Sequence, residues 1–260
     1  MIAILISKPG SAFTPAERPI PEPPEGAVRV KVAACGISHS DSFVKERHWP
    51  VSRIHACRRG DFINCARQQI TGFSFDGGYQ QYMIASTRGL ARIPDALSFA
   101  QAGPLLCAGV TTYNSLRHTR AMPGDVVAIH GIGDLGHLAV QFARYFGFHV
   151  VAISRGKDKE ELALRLGAHR YLDTNTVNAA EELTKLGGAK VIVATAPASK
   201  AISPLVEGLG IDGTLLAIAG TLEPMAISPG QMIHNRRTIQ GWPSGTPKDS
   251  EDTRRGFAWC

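Results

Sequence analysis

Residues 131–136 read GIGDLG, which places Gly131, Gly133 and Gly136 at the G-x-G-x-x-G spacing. The motif follows a short apolar run, Val126–His130, that Gly124 and Asp125 introduce. It precedes Leu135, Leu138, Ala139, Phe142, Ala143 and Phe146, which recur at helical spacing until Gly147. A strand, a tight glycine turn and a helix open a βαβ unit. The rhythm continues with a strand at 149–154 (HVVAIS), a helix (KEELALRL) ended by Gly167, and apolar strands at 190–196 (KVIVATA) and 213–220 (GTLLAIAG). Asp158 with Glu161 reads as the N-terminal capping pair of the second helix. Strands alternating with helices predict an α/β fold: a doubly wound parallel sheet with helices on both faces.

In that setting each glycine has a physical task. Gly131 makes the turn, Gly133 lets a pyrophosphate approach the backbone, and Gly136 allows helix and strand to pack closely. The free amides and positive dipole end of the helix beginning near Leu135 would meet the phosphates. The predicted cofactor-binding residues are therefore Gly131, Gly133, Asp134, Leu135 and Gly136; the alternative is a glycine-rich turn without a ligand. About twenty residues on, where an acidic side chain would take the ribose hydroxyls of NAD, the chain has Ser154, Arg155 and Lys157. A hydroxyl and two cations suit a 2′-phosphate, so NADP is expected, with NAD as the alternative. The plainer reading of Arg155 and Lys157 is a pair of solvated surface charges.

Upstream of Ser98 the texture differs. PIPEPPEG (19–26) is too proline-rich for a helix or a central strand; AVRVKVAACG (27–36) alternates as a half-buried strand should; FSFDGGYQQYMIA (73–85) reads as strand around an Asp-Gly-Gly turn. SFAQAGPLLCAGVTTYNSLRH then reads as helical pieces around a proline. The 260 residues, 44% hydrophobic and 19% charged, have the balance of a globular chain of one large or two modest domains. Net charge is +6, but the basic residues come in scattered pairs such as Arg58-Arg59, Arg236-Arg237 and Arg254-Arg255, which gives nucleic-acid binding little support. No basic residue precedes the opening MIAILIS, and Lys8-Pro9-Gly10 ends it too early for a signal peptide or a membrane span. A cytoplasmic location and no membrane partner are the expectation. Five cysteines (35, 57, 65, 107 and 260) form an odd set that argues against a disulfide framework and leaves metal ligation or burial.

The segments VKVAACGISHSD, CRRGDFINC, DGGYQQYM, PLLCAGVTTYN, GIGDLGHLAVQFARYFG and LGAHRYLD occur in an order that resembles the zinc-type alcohol dehydrogenases of the medium-chain dehydrogenase/reductase family, over about 28 to 245. The resemblance implies a GroES-like β domain (1–106, internally shortened near 50–57), a Rossmann NAD(P)-binding domain (107–245) and a truncated tail (246–260), with an alcohol or aldehyde bound in the cleft. It further implies a catalytic-zinc ligand at Cys107 and a thiolate where Ser38 stands; Cys35 matches a position that is not a ligand. The family's Gly-His-Glu ligand segment has no counterpart after Trp49-Pro50, and neither His48 nor His55 sits in that motif. Cys57 and Cys65 match the last two of four structural-zinc cysteines, whose first two partners are absent. A serine hydroxyl is a far poorer zinc ligand than a thiolate, and closed structural sites need four ligands, so zinc is expected to be weakly held or absent.

By the same resemblance Ser40 is the hydroxyl that relays the alcohol proton outward. His39 extends that relay or touches the cofactor phosphate, and Asp41 is a carboxylate behind it; the plainer reading of the three is a polar strand terminus. The implied function is an alcohol dehydrogenase-like oxidoreductase transferring hydride between an alcohol or aldehyde and NAD(P). Two rivals stand: a zinc-independent quinone or enoyl reductase, and a non-catalytic dinucleotide-binding relic left by a shortened or mis-assembled gene product. The expected partner is a small-molecule alcohol or aldehyde, with no nucleic acid and with homo-oligomerisation left open.

Overall fold

The computed structural model describes residues 1–38, 41, 45, 61–65 and 68–257, the side chains of 255–257 excepted. They divide into two compact units, one formed by 1–107 with the segment from Gly245, the other by Ala108–Ser244.

In the first unit β1 (Ile2–Leu5) pairs antiparallel with β2 (Thr14–Glu17), Ile2 opposite Glu17. β3 (Ala27–Lys31) pairs antiparallel with β4 (Tyr82–Ser86), Ala27 opposite Ser86. β3 alternates half-buried Val28 and Val30 with exposed Arg29 and Lys31, the period-2 pattern its sequence carries. The strand expected over 27–36 is shorter than its sequence suggested: regular pairing stops at Lys31, and only the Val32 amide still reaches across, donating to Gln81 O at 2.9 Å. Residues 73–81 are likewise not continuous strand. Ser74 N–H donates to Ile70 O and Gly72 N–H to Phe75 O, both at 2.8 Å, closing a tight turn whose backbone groups a neighbouring strand cannot also use. Helix α1 (Phe99–Pro104) starts from a capping box in which Ser98 and Gln101 satisfy each other's amides. Pro104 brings no amide hydrogen to the helical ladder, and a π-turn over Leu105–Gly109 follows; the chain passes from the first unit to the second within it. The segment expected to be a tail is helical over Pro247–Phe257 and groups with the first unit.

The second unit opens with α2 (Val110–Arg117) and holds a six-stranded, all-parallel sheet. Its strands are β5 (Val126–His130), β6 (His149–Ser154), β7 (Arg170–Asp173), β8 (Ala189–Ala194), β9 (Leu209–Ala217) and β10 (Thr238–Gly241). The order β10-β9-β8-β5-β6-β7 is that of a Rossmann sheet, in which winding proceeds outward from β5 in both directions. Val127, Ala128, Ile129, Val150, Val151, Ala152, Ile153, Ile192 and Val193 are wholly buried, as expected of strands covered on both faces. Helices α3 (Gly136–Tyr145), α4 (Glu160–Arg165), α5 (Ala179–Lys185) and α6 (Ser199–Ile202) make the crossovers. Phe142 of α3 is fully buried and meets Tyr113 of α2 edge-on, ring centroids 5.3 Å apart at 73°.

α4 begins at Glu160, with Lys159 at the N-cap and no side-chain cap. The capping role read for Asp158 is thus corrected: Asp158 lies one residue too early and is exposed, while Glu160 and Glu161 supply the negative charge of the first turn. No helix among the described residues is long and apolar enough to cross a membrane.

Candidate functional site

The glycine turn occupies the C-terminal end of β5, between β6 and β8, the point where the two halves of the sheet diverge. Gly131 has φ +91°, a conformation that L side chains rarely adopt, and a Cβ there would come within 3.0 Å of Ala196 Cβ and Thr195 Oγ1. A Cβ on Gly136 would stand 1.9 Å from Gly131 O, so helix and turn touch backbone to backbone. A Cβ on Gly133 would meet nothing within 4 Å. The three glycines therefore differ: Gly131 is needed for its dihedral angle and Gly136 for packing inside the protein, while Gly133 lies on a surface left open toward solvent.

Thr195, at the end of β8, closes the turn from the neighbouring strand. Its amide donates to His130 O at 3.0 Å, and its hydroxyl lies 2.9 Å from His130 O and 2.8 Å from Gly131 O. The sequence reading did not single out Thr195; the one sign of it is a polar residue at the end of an otherwise apolar run. The Gly131 amide donates to Ile153 O at 2.8 Å, so β6 holds the other side of the turn. Asp134 is exposed, and its carboxylate accepts the amide of Leu135, the N-cap residue of α3, at 2.8 Å. His137 Nδ1 lies 2.8 Å from Gly133 O, securing the far side of the loop.

Ser154 ends β6, half-buried, and Arg155 and Lys157 are exposed on the loop beyond it. That loop is held by β7: Asp173 Oδ1 accepts the amides of Gly156 (2.7 Å) and Asn175 (2.9 Å), and the Tyr171 hydroxyl donates to Gly156 O at 2.5 Å. Burial, ahead of the nearby carboxylates, pushes the Tyr171 phenol above its ordinary pKa, so it remains a donor. Lys159, a further residue the sequence reading passed over, donates from Nζ to Ile132 O at 2.7 Å and brings a third cation back to the glycine turn. A cavity of about 890 Å³ elsewhere in this unit, lined by Glu181, Lys185, Lys200 and Glu207 among others, contains none of these residues.

The first unit holds the second group of expected site residues. Cys107 Sγ lies 4.0 Å from Ser38 Oγ. Two sulfurs each about 2.3 Å from a tetrahedral zinc stand roughly 3.8 Å apart, so the pair has the separation of two metal donors with one thiolate exchanged for a hydroxyl. Asp41 Oδ2 accepts the Ser38 amide at 2.8 Å and the Tyr79 hydroxyl at 2.6 Å. Tyr79, which the sequence reading left without a role, is held protonated by burial first and by its bond to Asp41 second. Burial, with the Asp41 charge behind it, pushes the Cys35 thiol up as well, so this thiol stays protonated at neutral pH. Cys65 is buried at the end of a short 3₁₀ turn (Phe62–Asn64), with its amide on Phe62 O at 3.3 Å. His39, Ser40 and Cys57, and with them the expected relay and one structural-zinc position, lie outside the described residues. Among the described residues no three His, Cys, Asp or Glu side chains converge as a metal site would require.

Residues 135–259 match the family described as zinc-binding dehydrogenase. The chain is 38% identical over 284 residues to the alcohol dehydrogenase patD of Penicillium expansum, covering 94% of this chain and 83% of that protein. An alcohol dehydrogenase of Geobacillus stearothermophilus is 33% identical, with 87% and 80% covered. Among solved structures, an NAD-dependent alcohol dehydrogenase superposes with a TM-score of 0.89 at 20% identity, over 98% of this chain and 88% of that one. The alcohol dehydrogenase of Aeropyrum pernix gives 0.88 at 21%, over 100% and 90%. These two likenesses speak for the fold, a GroES-like part followed by a Rossmann sheet. With the glycine turn and the strand order on one side and relatives aligned along nearly the whole chain on the other, this chain belongs to the zinc-binding, alcohol dehydrogenase-like oxidoreductases of the medium-chain dehydrogenase/reductase family.

Proposed function

We propose that the second unit binds a nicotinamide dinucleotide across the glycine turn, NADP in preference to NAD, and that the reaction served is hydride transfer between that cofactor and a small alcohol or aldehyde. The observation that carries the reading is the open face at Gly133 beside Gly131 and Gly136, which meet backbone to backbone. A turn without a ligand has no need of a glycine where a side chain would meet nothing. The cofactor supplies the hydride chemistry. The protein's part is positional: α3 presents amides and its dipole to the pyrophosphate, Thr195 and the Ile153 carbonyl keep the turn in shape, and Asp173 with Tyr171 fixes the loop carrying Arg155 and Lys157.

The preference for NADP rests on the three cations Arg155, Lys157 and Lys159 within five residues, and on the nearest β7 carboxylate, Asp173, being turned inward to two backbone amides. Dissociation constants for NADPH and NADH, measured by quenching of protein fluorescence, should favour NADPH. Arg155→Ala should weaken NADPH binding about tenfold or more and leave NADH nearly unchanged. Equal affinity for the two cofactors, or tighter NADH, would overturn the assignment.

The donor set described here does not make a zinc site: Cys107 contributes one thiolate and Ser38 a neutral hydroxyl. No catalytic step is therefore derived through the metal. Protein purified without chelator should carry well under two zinc ions per chain by elemental analysis, and Ser38→Cys, which returns a thiolate about 4 Å from Cys107, should raise zinc retention. Two tightly held zincs in the unmodified chain would show that the ligands lie elsewhere. The cytoplasmic location, the proton relay through Ser40 and His39, and a supporting role for Asp41 behind it belong to the same proposal.

A further inference from the structure

We propose that His130 is a cofactor-contact residue, its buried imidazole hydrogen-bonding the adenosine half of the bound dinucleotide; the inference rests on the reading of the glycine turn as a dinucleotide site. His130 is the last residue of β5, the central strand, immediately before Gly131. It is 8% exposed, and its Nδ1 is wholly buried with no hydrogen-bond partner among the described residues. Buried polar atoms are nearly always satisfied, and one that is not calls for a partner the protein itself does not supply.

The described groups beside it in the strand ladder are committed or apolar. Its strand partners are Ile153 on one side and Ala194 on the other. Its own carbonyl is taken by the amide of Thr195 and approached by the hydroxyl, and the Gly131 amide is taken by Ile153 O. By strand alternation His130 shares a sheet face with Ala128, which packs in the cluster containing Leu183, Leu205 and Val206. A ligand lying across the end of β5 would supply the polar partner that no described residue provides. A dinucleotide straddling this switch point sends its adenosine half toward β6, because the ribose is expected at Ser154–Lys157, directly beyond Ile153. Burial depresses the His130 pKa, so the ring is neutral at ordinary pH and offers one donor and one acceptor nitrogen. Adenine, with ring acceptors and an amine, and ribose, with hydroxyls, answer either tautomer.

The test uses the full chain with ADP as the adenosine-bearing probe and nicotinamide mononucleotide as the other half, in wild type, His130→Phe and His130→Asn. His130→Phe keeps the ring volume without polar atoms; it should weaken ADP binding about tenfold, leave nicotinamide mononucleotide unaffected, and hold or raise the melting temperature of the ligand-free protein. His130→Asn, which restores a polar group near the same position, should recover part of the ADP affinity. A purely structural histidine would lower the melting temperature when replaced and weaken both probes alike, and that result would overturn the proposal. Unchanged ADP affinity in both variants, with ADP binding intact in wild type, would also overturn it. A wild-type chain that binds neither ADP nor the dinucleotides would instead remove the cofactor site itself, an outcome separable from the first two.

Discussion

Gly136→Ala should unfold or severely loosen the second unit, while Gly133→Ala, three residues away in the same motif, should fold normally and lose dinucleotide binding. At Gly136 the added carbon would lie 1.9 Å from Gly131 O and 3.0 Å from Thr195 Oγ1. The obstacle is backbone that β6 and β8 hold in place through Ile153 O and Thr195, so it cannot yield as a flexible side chain would. Relief requires α3 to lift from β5, with loss of packing around fully buried Ala139, Val140, Phe142 and Ala143. A cost of about 3 kcal/mol or more is expected, the upper end for forcing atoms into a filled interior. At Gly133 the same carbon meets nothing, so the unfolding midpoint in urea should stay within experimental scatter. That carbon would occupy the surface a pyrophosphate must approach, and NADPH affinity should fall by tenfold or more. Urea denaturation followed by far-UV circular dichroism, with a fluorescence titration on the same preparations, separates the two effects. A Gly133→Ala protein that binds as well as wild type would place the phosphates elsewhere.

Arg254→Leu should stabilise the first unit. Arg254, in the helix Pro247–Phe257, is 0% exposed, and none of its three guanidinium nitrogens has a hydrogen-bond partner among the described residues. Burial pushes its pKa down, with only the charge of Glu251 working the other way. Arginine does not shed its proton under ordinary conditions, so the cost of burying the charge is borne by the fold. The rest of the helix is well made: Asp249 accepts the Thr246 amide at 2.7 Å at its start, and the Thr253 hydroxyl donates to Asp249 O at 2.7 Å. An aliphatic side chain of similar volume should gain about 1–4 kcal/mol, and Arg254→Lys, which keeps a buried charge, should gain nothing. Thermal melts of the full chain give the order directly. A lower melting temperature for Arg254→Leu would mean that a partner outside the described residues holds the guanidinium.

The two arginine pairs of the C-terminal third show where reading a sequence ends. Arg236-Arg237 and Arg254-Arg255 look alike as letters and suggest solvated charge. In the fold Arg236 grips Asp212 at the surface through two 2.8 Å bonds, whereas Arg237 is buried, bonded to Glu207 Oε2 at 2.9 Å and to the carbonyls of Glu207, Leu209 and Gln231. Arg254 is buried with no such partners among the described residues. Asp158 gives the converse case: its capping role read plausibly from spacing alone, but the helix starts two residues later, where the loop tied down by Asp173 and Tyr171 delivers it.

The resemblance of motifs in their order carried the family and the thiolate missing at position 38. The sequence by itself determined the βαβ rhythm and the glycine turn at 131–136, and both are local: they follow from hydrophobic period and from the spacing of residues without a side chain. The tertiary structure alone decided that Thr195 and Lys159 hold the turn, that the Tyr79 hydroxyl donates to Asp41 beside Ser38, and that His130 ends with a buried nitrogen for which no described residue is a partner. Those outcomes depend on residues tens of positions apart being brought within 3 Å of one another, and on which face of a strand or helix is covered. Burial and hydrogen-bond partnership are set by the packing of whole elements, and no spacing along the chain records them.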